Sequence, residues 1–218
     1  LAPRSACPTR PRAAQVKMSL QQAIRRWRYG PPIVVVSGLP RSGTSMAMRM
    51  LQAGGMPLVV DGVRTADEDN PAGYFEVERV KDLGRETDRR WLRAARGKAI
   101  KVVSSLIEHL PEDNNYAVLF LNRNLNEVLA SQAKMLARRG ETSATSDERL
   151  LELFQAHLGR VKSLLGTRPR FRLCELEYQT VVAEPRAEAE RIRAFLGRPL
   201  DVEAMARAVD PSLHRNRA

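Results

Sequence analysis

Ile33-Val34-Val35-Val36-Ser37-Gly38-Leu39-Pro40-Arg41-Ser42-Gly43-Thr44-Ser45 is the stretch that decides the fold. Its four consecutive β-branched residues predict a strand covered on both faces, because a half-exposed strand would alternate apolar with polar. Gly38 and Gly43 bracket a turn, and a helical pattern then runs from Thr44 to about Ala53, where Gly54-Gly55 stops it. A strand, a glycine turn and a helix N-terminus make an anion site: backbone N–H groups converge and the helix dipole favours negative charge. The nucleoside triphosphate loop G-x-x-x-x-G-K-[ST] starts the same way, but its lysine position here is Thr44 and the cation lies inside the loop at Arg41. No predicted strand ends in an acid suited to magnesium, since 116–121 runs into Asn122-Arg123. The loop therefore suits a phosphate-like group handled without metal.

Outward from this loop, further strands are expected at 58–60, 99–103, 116–121 and 171–176. Helical patterns lie at 19–29, with Ser19 as a cap, and at about 77–95, 125–139, 147–165, 186–196 and 201–209. Strands alternating with helices predict an α/β fold of P-loop type, three layers deep, with a central parallel sheet of about five strands and helices on both faces. Residues 1–18, rich in Pro, Ala and Arg, read as a disordered basic extension, and 19–218 as one α/β domain.

The chain has 218 residues, 43% of them hydrophobic, with 36 Lys and Arg against 25 Asp and Glu, a formal charge of +11. No apolar run approaches the roughly 20 residues of a membrane helix. Cys7 and Cys174 form neither a disulfide framework nor a metal motif, which fits a reducing, cytoplasmic setting. The three histidines, His109, His157 and His214, are scattered, leaving little material for histidine chemistry. Residues 1–30 carry seven cations and no acid, so the other 188 residues hold only +4. A basic nucleic-acid-binding protein is the reading this charge first suggests. Aromatic residues make up only 5% of the chain, with no basic-aromatic interleaving to stack bases, so nucleic acid is not the expected partner.

Pro40-Arg41-Ser42-Gly43-Thr44-Ser45 resembles the 5′-phosphosulfate loop of sulfotransferases that use 3′-phosphoadenosine 5′-phosphosulfate (PAPS), whose pattern is Pro, Lys or Arg, Ser or Thr, Gly, Thr, Ser or Thr. Leu119-Phe120-Leu121-Asn122-Arg123, with Ser131 eight residues on, is similar to that family's 3′-phosphate site. An Arg offers a planar fork of donors, and a hydroxyl about two helical turns on can donate from the same face. The family usually has Pro two residues after this Arg, where Leu125 stands here. Tyr178-Gln179-Thr180-Val181, Glu184-Pro185 and Phe195-Leu196-Gly197 resemble a third family segment, with Gln179 and Thr180 in place of two acids. The resemblance spans about 33–200. It implies PAPS as donor, no metal, 3′,5′-bisphosphate as product, and donor contacts from Arg41, Ser42, Gly43, Thr44, Ser45, Arg123 and Ser131.

In such a transfer the protein positions the reactants and neutralises charge on the leaving oxygen. Arg41 is the first candidate for that charge. Lys101, in a stretch resembling the family strand that carries a Lys beside the sulfuryl group, is the second. Cytosolic members place a His base two residues later, where this chain has Val103. A carboxylate is the natural replacement. Asp61, Asp67, Glu68, Asp69, Glu76 and Glu78 lie in the right region, and Asn70-Pro71-Ala72-Gly73-Tyr74-Phe75-Glu76 is similar to a run in bacterial sulfotransferase-like sequences. Glu76 is thus the expected base and Asp61 its alternative. His214, Arg215 and Arg217 are candidates to close over the nucleotide. Three other readings stay open: a P-loop kinase acting with ATP and magnesium, a nucleic-acid binder, and a nucleotide-binding scaffold without turnover.

Overall fold

Strand β1 (Ile33–Gly38) is buried along its whole length and forms the axis of a parallel sheet. The computed structural model describes residues 20–62, 75–138, 140 and 145–210. Within them the sheet has the order β2-β1-β3-β4, with β2 at Ala99–Lys101, β3 at Tyr116–Asn122 and β4 at Phe171–Glu177. Side chains alternate across β1: Val34 and Val36 join a core with Met48, Met50 and Leu51, while Ile33 and Val35 join a second core with Ile100, Val118 and Phe120. Two cores, one per face, are why the strand reads as an unbroken apolar run. Full burial of each such side chain is worth about 1.5–3 kcal/mol.

The helices are α1 (Leu20–Tyr29), α2 (Thr44–Ala53), α3 (Leu125–Arg138), α4 (Asp147–Thr167), α5 (Tyr178–Ala183), α6 (Pro185–Leu196) and α7 (Val202–Arg207). Pro185 opens α6, and Gly197, at φ 62°, closes it in the left-handed conformation. Among the described residues no helix is long and apolar enough to cross a membrane.

Two expectations need correction. The strand at 58–60 shrinks to a single bridge between Leu58 and Ala99, leaving four strands among the described residues rather than about five. Val60 is 48% exposed, and the Asp61 amide turns to the Glu76 carbonyl instead, so nothing extends the ladder. The helix at 77–95 is two short 3₁₀ turns, Glu78–Asp82 and Arg90–Ala95. Between them Asp88 accepts hydrogen bonds from the Arg90 amide and guanidinium, a local bonding pattern that competes with helix. The sequence pattern also overlooks a 3₁₀ segment at Ser104–His109 and the short helix α5.

The 104–109 segment is tied to α4 by a 2.8 Å hydrogen bond between buried Ser104 Oγ and His157 Nε2. Burial, aided by Arg160 and opposed by Glu108, pushes the His157 ring below its ordinary value. The folded pKa is below the unfolded one of about 6.5, so the stabilisation is complete above that pH. It is lost as pH falls toward the folded value. His157→Gln keeps a hydrogen-bonding side chain without titrating, and thermal melts should lose less stability between pH 7.5 and 5.5 than wild type. His157→Ala, which orphans the Ser104 hydroxyl, should cost about 1–3 kcal/mol at pH 7.5.

Candidate active site

All four strands point the same way, so their C-terminal ends gather at one edge of the sheet. β1 hands the chain to α2 there, and its neighbours β2 and β3 lie on opposite sides of it, which is where open α/β sheets form a ligand crevice. The loop after β1 is closely built. A Cβ on Gly38 (φ 153°) would lie 2.6 Å from the Leu121 carbonyl oxygen and 2.4 Å from Ser42 Oγ. A Cβ on Gly43 (φ 99°) would lie 2.5 Å from the Tyr178 ring. Both positions admit only glycine, for space and for backbone conformation alike. Gly43 caps α2, whose first-turn amides face the loop without carbonyl partners inside the helix. Thr44 is buried and Ser45 half-buried. The Ser42 hydroxyl is buried, against Gly38, with no hydrogen-bond partner.

Arg41 stands at φ 68°, a left-handed conformation that costs a residue with a Cβ roughly 1–2 kcal/mol. Two long-range contacts hold it. Its Nε donates to Ser131 Oγ at 3.0 Å, and its carbonyl accepts from Arg123 Nη1 at 3.1 Å, across sequence separations of 90 and 82. The two predicted phosphate motifs therefore meet at one place. Arg123 also donates through Nε to Glu127 Oε2 at 2.8 Å, with the two side chains 7% and 1% exposed, and lies 4.3 Å over the Tyr178 ring. Gln179 Nε2 donates to the other Glu127 oxygen at 2.9 Å. A buried pair of this kind does more to fix geometry than to stabilise, but removing one partner is expensive.

Two of the departures from the family pattern have a local explanation here. Asn124 Oδ1 accepts from the Asn126 amide at 2.9 Å, capping α3 where the family has its proline start. Gln179 supplies an amide donor to a carboxylate that an acid at 179 would repel. Glu127 itself was not singled out by sequence. Its position four residues after Arg123, where one helical turn brings side chains together, is the signal that could have found it.

On the β2 side, Lys101 Nζ lies 3.1 Å from Glu76 Oε1 and 3.4 Å from Ser45 Oγ. The Lys101 and Glu76 side chains are 9% and 20% exposed. Lys101 thus bridges the loop and the segment expected to supply the base, while Arg41 Nε is directed to Ser131. Glu76 follows Phe75, which is fixed at φ 52° with its ring against the core around α2. The Asp61 carboxylate accepts from the Glu78 amide, at the start of the 78–82 turn. Asp67, Glu68, Asp69, 70–74, Ser19, 1–18, His214, Arg215 and Arg217 lie outside the described residues.

Several solved structures share this fold. The sulfotransferase domain of the Synechococcus PCC 7002 olefin synthase superposes with a TM-score of 0.52 at 19% identity, over 84% of this chain and 86% of that one. The sulfotransferase STF1 from Mycobacterium tuberculosis H37Rv gives 0.53 at 14%, over 87% and 73%. The sulfotransferase domain of the curacin biosynthetic pathway gives 0.50 at 15%, over 84% and 89%. No curated protein matches the chain. The Sulfotransferase domain family matches residues 31–215, a span that contains the loop, the Arg123–Ser131 motif and Lys101, and the chain belongs to that family.

Proposed function

We propose that this chain transfers a sulfuryl group from PAPS to an acceptor hydroxyl or amine, without a metal ion. The observation that carries the reading is the meeting of Arg41 with Arg123 and Ser131 beside the N-terminus of α2. PAPS has anionic groups at both ends of its ribose, and this edge offers a helix N-terminus with Thr44 and Ser45 next to an arginine-serine pair. The tight glycine cradle and the orphaned Ser42 hydroxyl fit a loop shaped around an anion. Arg41, Arg123 and Ser131 hold the nucleotide phosphates, and the loop residues Ser42, Gly43, Thr44 and Ser45 hold the phosphosulfate. Lys101 faces the bridging oxygen. Glu76 takes the acceptor proton as the new O–S or N–S bond forms and the old S–O bond breaks, releasing 3′-phosphoadenosine 5′-phosphate.

Thermal shift tests the donor class. At 100 times its dissociation constant the bisphosphate adds about 2.7 kcal/mol, which raises Tm by roughly 5–10 °C for a chain of this size. ADP, and ATP with magnesium, should give much less. Greater stabilisation by ATP with magnesium would replace this reading with the kinase one.

A further inference from the structure

Helix α1 sits on the molecule with its apolar side outward. Leu20, Ile24 and Trp27 share one helical stripe and are 78%, 55% and 87% exposed, three of the five exposed large hydrophobics among the described residues. No residue of α1 is buried. The polar side is what docks. Arg25 donates to the Asn115 side chain and to the carbonyls of Glu112 and Asn114, and Asn115 donates back to the carbonyls of Arg25 and Gly30. These bonds anchor α1 just before β1 and β3 begin, at the edge of the sheet opposite the phosphate loop.

That edge is cationic. Arg26 and Arg28 flank the stripe, and exposed Lys98 and Arg168 precede β2 and β4 on the same side. Its acids Glu112, Asp113 and, beside them, Asp88 are paired with Arg170, Arg93 and Arg90. In the sequence, residues 1–19 directly before α1 hold four more cations and no acid. An apolar stripe with a tryptophan, bordered by arginines and lacking acids, has the chemistry of a helix lying in a bilayer interface. A polyanion such as RNA would satisfy the arginines but leave the stripe in water, and a second copy of this edge would face like charge.

We infer that this edge docks on an anionic lipid bilayer, with Leu20, Ile24 and Trp27 entering the headgroup boundary and the cations facing the lipid charge. The inference does not rest on the donor assignment. Strands of six or seven residues separate this edge from the loop by about 20 Å, so a docked molecule keeps its nucleotide crevice open to water.

The test is co-sedimentation of the full chain with phosphatidylcholine vesicles, with and without 30 mole percent phosphatidylserine, at about 0.1 and 0.5 M salt. Partitioning should rise more than tenfold with phosphatidylserine and collapse at the higher salt. Leu20→Ser/Ile24→Ser/Trp27→Ser should lower it more than tenfold with little change in Tm, because these side chains are mostly exposed. Arg26→Gln/Arg28→Gln should lower it about fivefold per cation. Equal partitioning of wild type and the stripe variant overturns the inference. So do an absence of vesicle binding, stripe-dependent self-association without vesicle binding, and RNA binding stronger than vesicle binding and indifferent to the stripe.

Discussion

Arg123→Ala should weaken binding of 3′-phosphoadenosine 5′-phosphate at least a hundredfold, measured by titration calorimetry. Two charge-assisted hydrogen bonds from a guanidinium to a phosphate are worth about 1.5–3 kcal/mol each, so losing both removes about two or more decades of affinity. The same substitution should also lower stability by about 3–5 kcal/mol, since it leaves the Glu127 carboxylate, 1% exposed, without its cation. These two losses can be separated. Arg123→Ala/Glu127→Gln removes the stranded charge and should recover most of the melting temperature while leaving affinity as low as in the single variant. Recovery of affinity together with stability would make Arg123 a fold residue. Arg41→Ala should also weaken the bisphosphate, by less, because its carbonyl still accepts from Arg123 when the bond to Ser131 is gone. Unchanged affinity in both arginine variants would remove the PAPS reading.

The sheet was legible where one physical requirement dominated. A strand buried on both faces has to be apolar throughout, and 33–36 and 116–121 are; a loop that must double back beside Leu121 and Tyr178 requires glycine at 38 and 43. The segment after α2 was not legible. Leu58, Val59 and Val60 have strand composition, yet only Leu58 finds a ladder partner, because pairing depends on what the following residues do and those residues turn toward Glu76. The 77–95 pattern failed differently: its apolar spacing is helical, but Asp88 offers the Arg90 amide a local alternative that splits it. At the site, the motif alone makes Arg41 the first candidate for the charge on the leaving oxygen and Lys101 the second. The left-handed backbone of Arg41 and its bond to Ser131 are invisible in sequence, as is the approach of Lys101 Nζ to Ser45.

That placement sets the second expectation. Lys101→Met, close in size and without charge, should lower the single-turnover rate of bisphosphate release from PAPS by about 10²–10³, the usual loss for one donor aimed at developing negative charge. Glu76→Gln should lower it by about 10²–10⁴, as for loss of a general base. The two variants differ in what else they change. Glu76→Gln leaves the loop and Arg123 untouched, so affinity for the bisphosphate should stay within about threefold of wild type. Lys101→Met loses the contact to Ser45 as well as the pair with Glu76, whose carboxylate is only 20% exposed, so it should also lose some thermal stability. Combining them removes the unpaired carboxylate and should recover that stability without recovering rate. If Glu76 instead serves only to hold Lys101, Glu76→Gln would cost little in rate, and Asp61→Asn, which gives up its bond to the Glu78 amide, would become the variant to measure for the base.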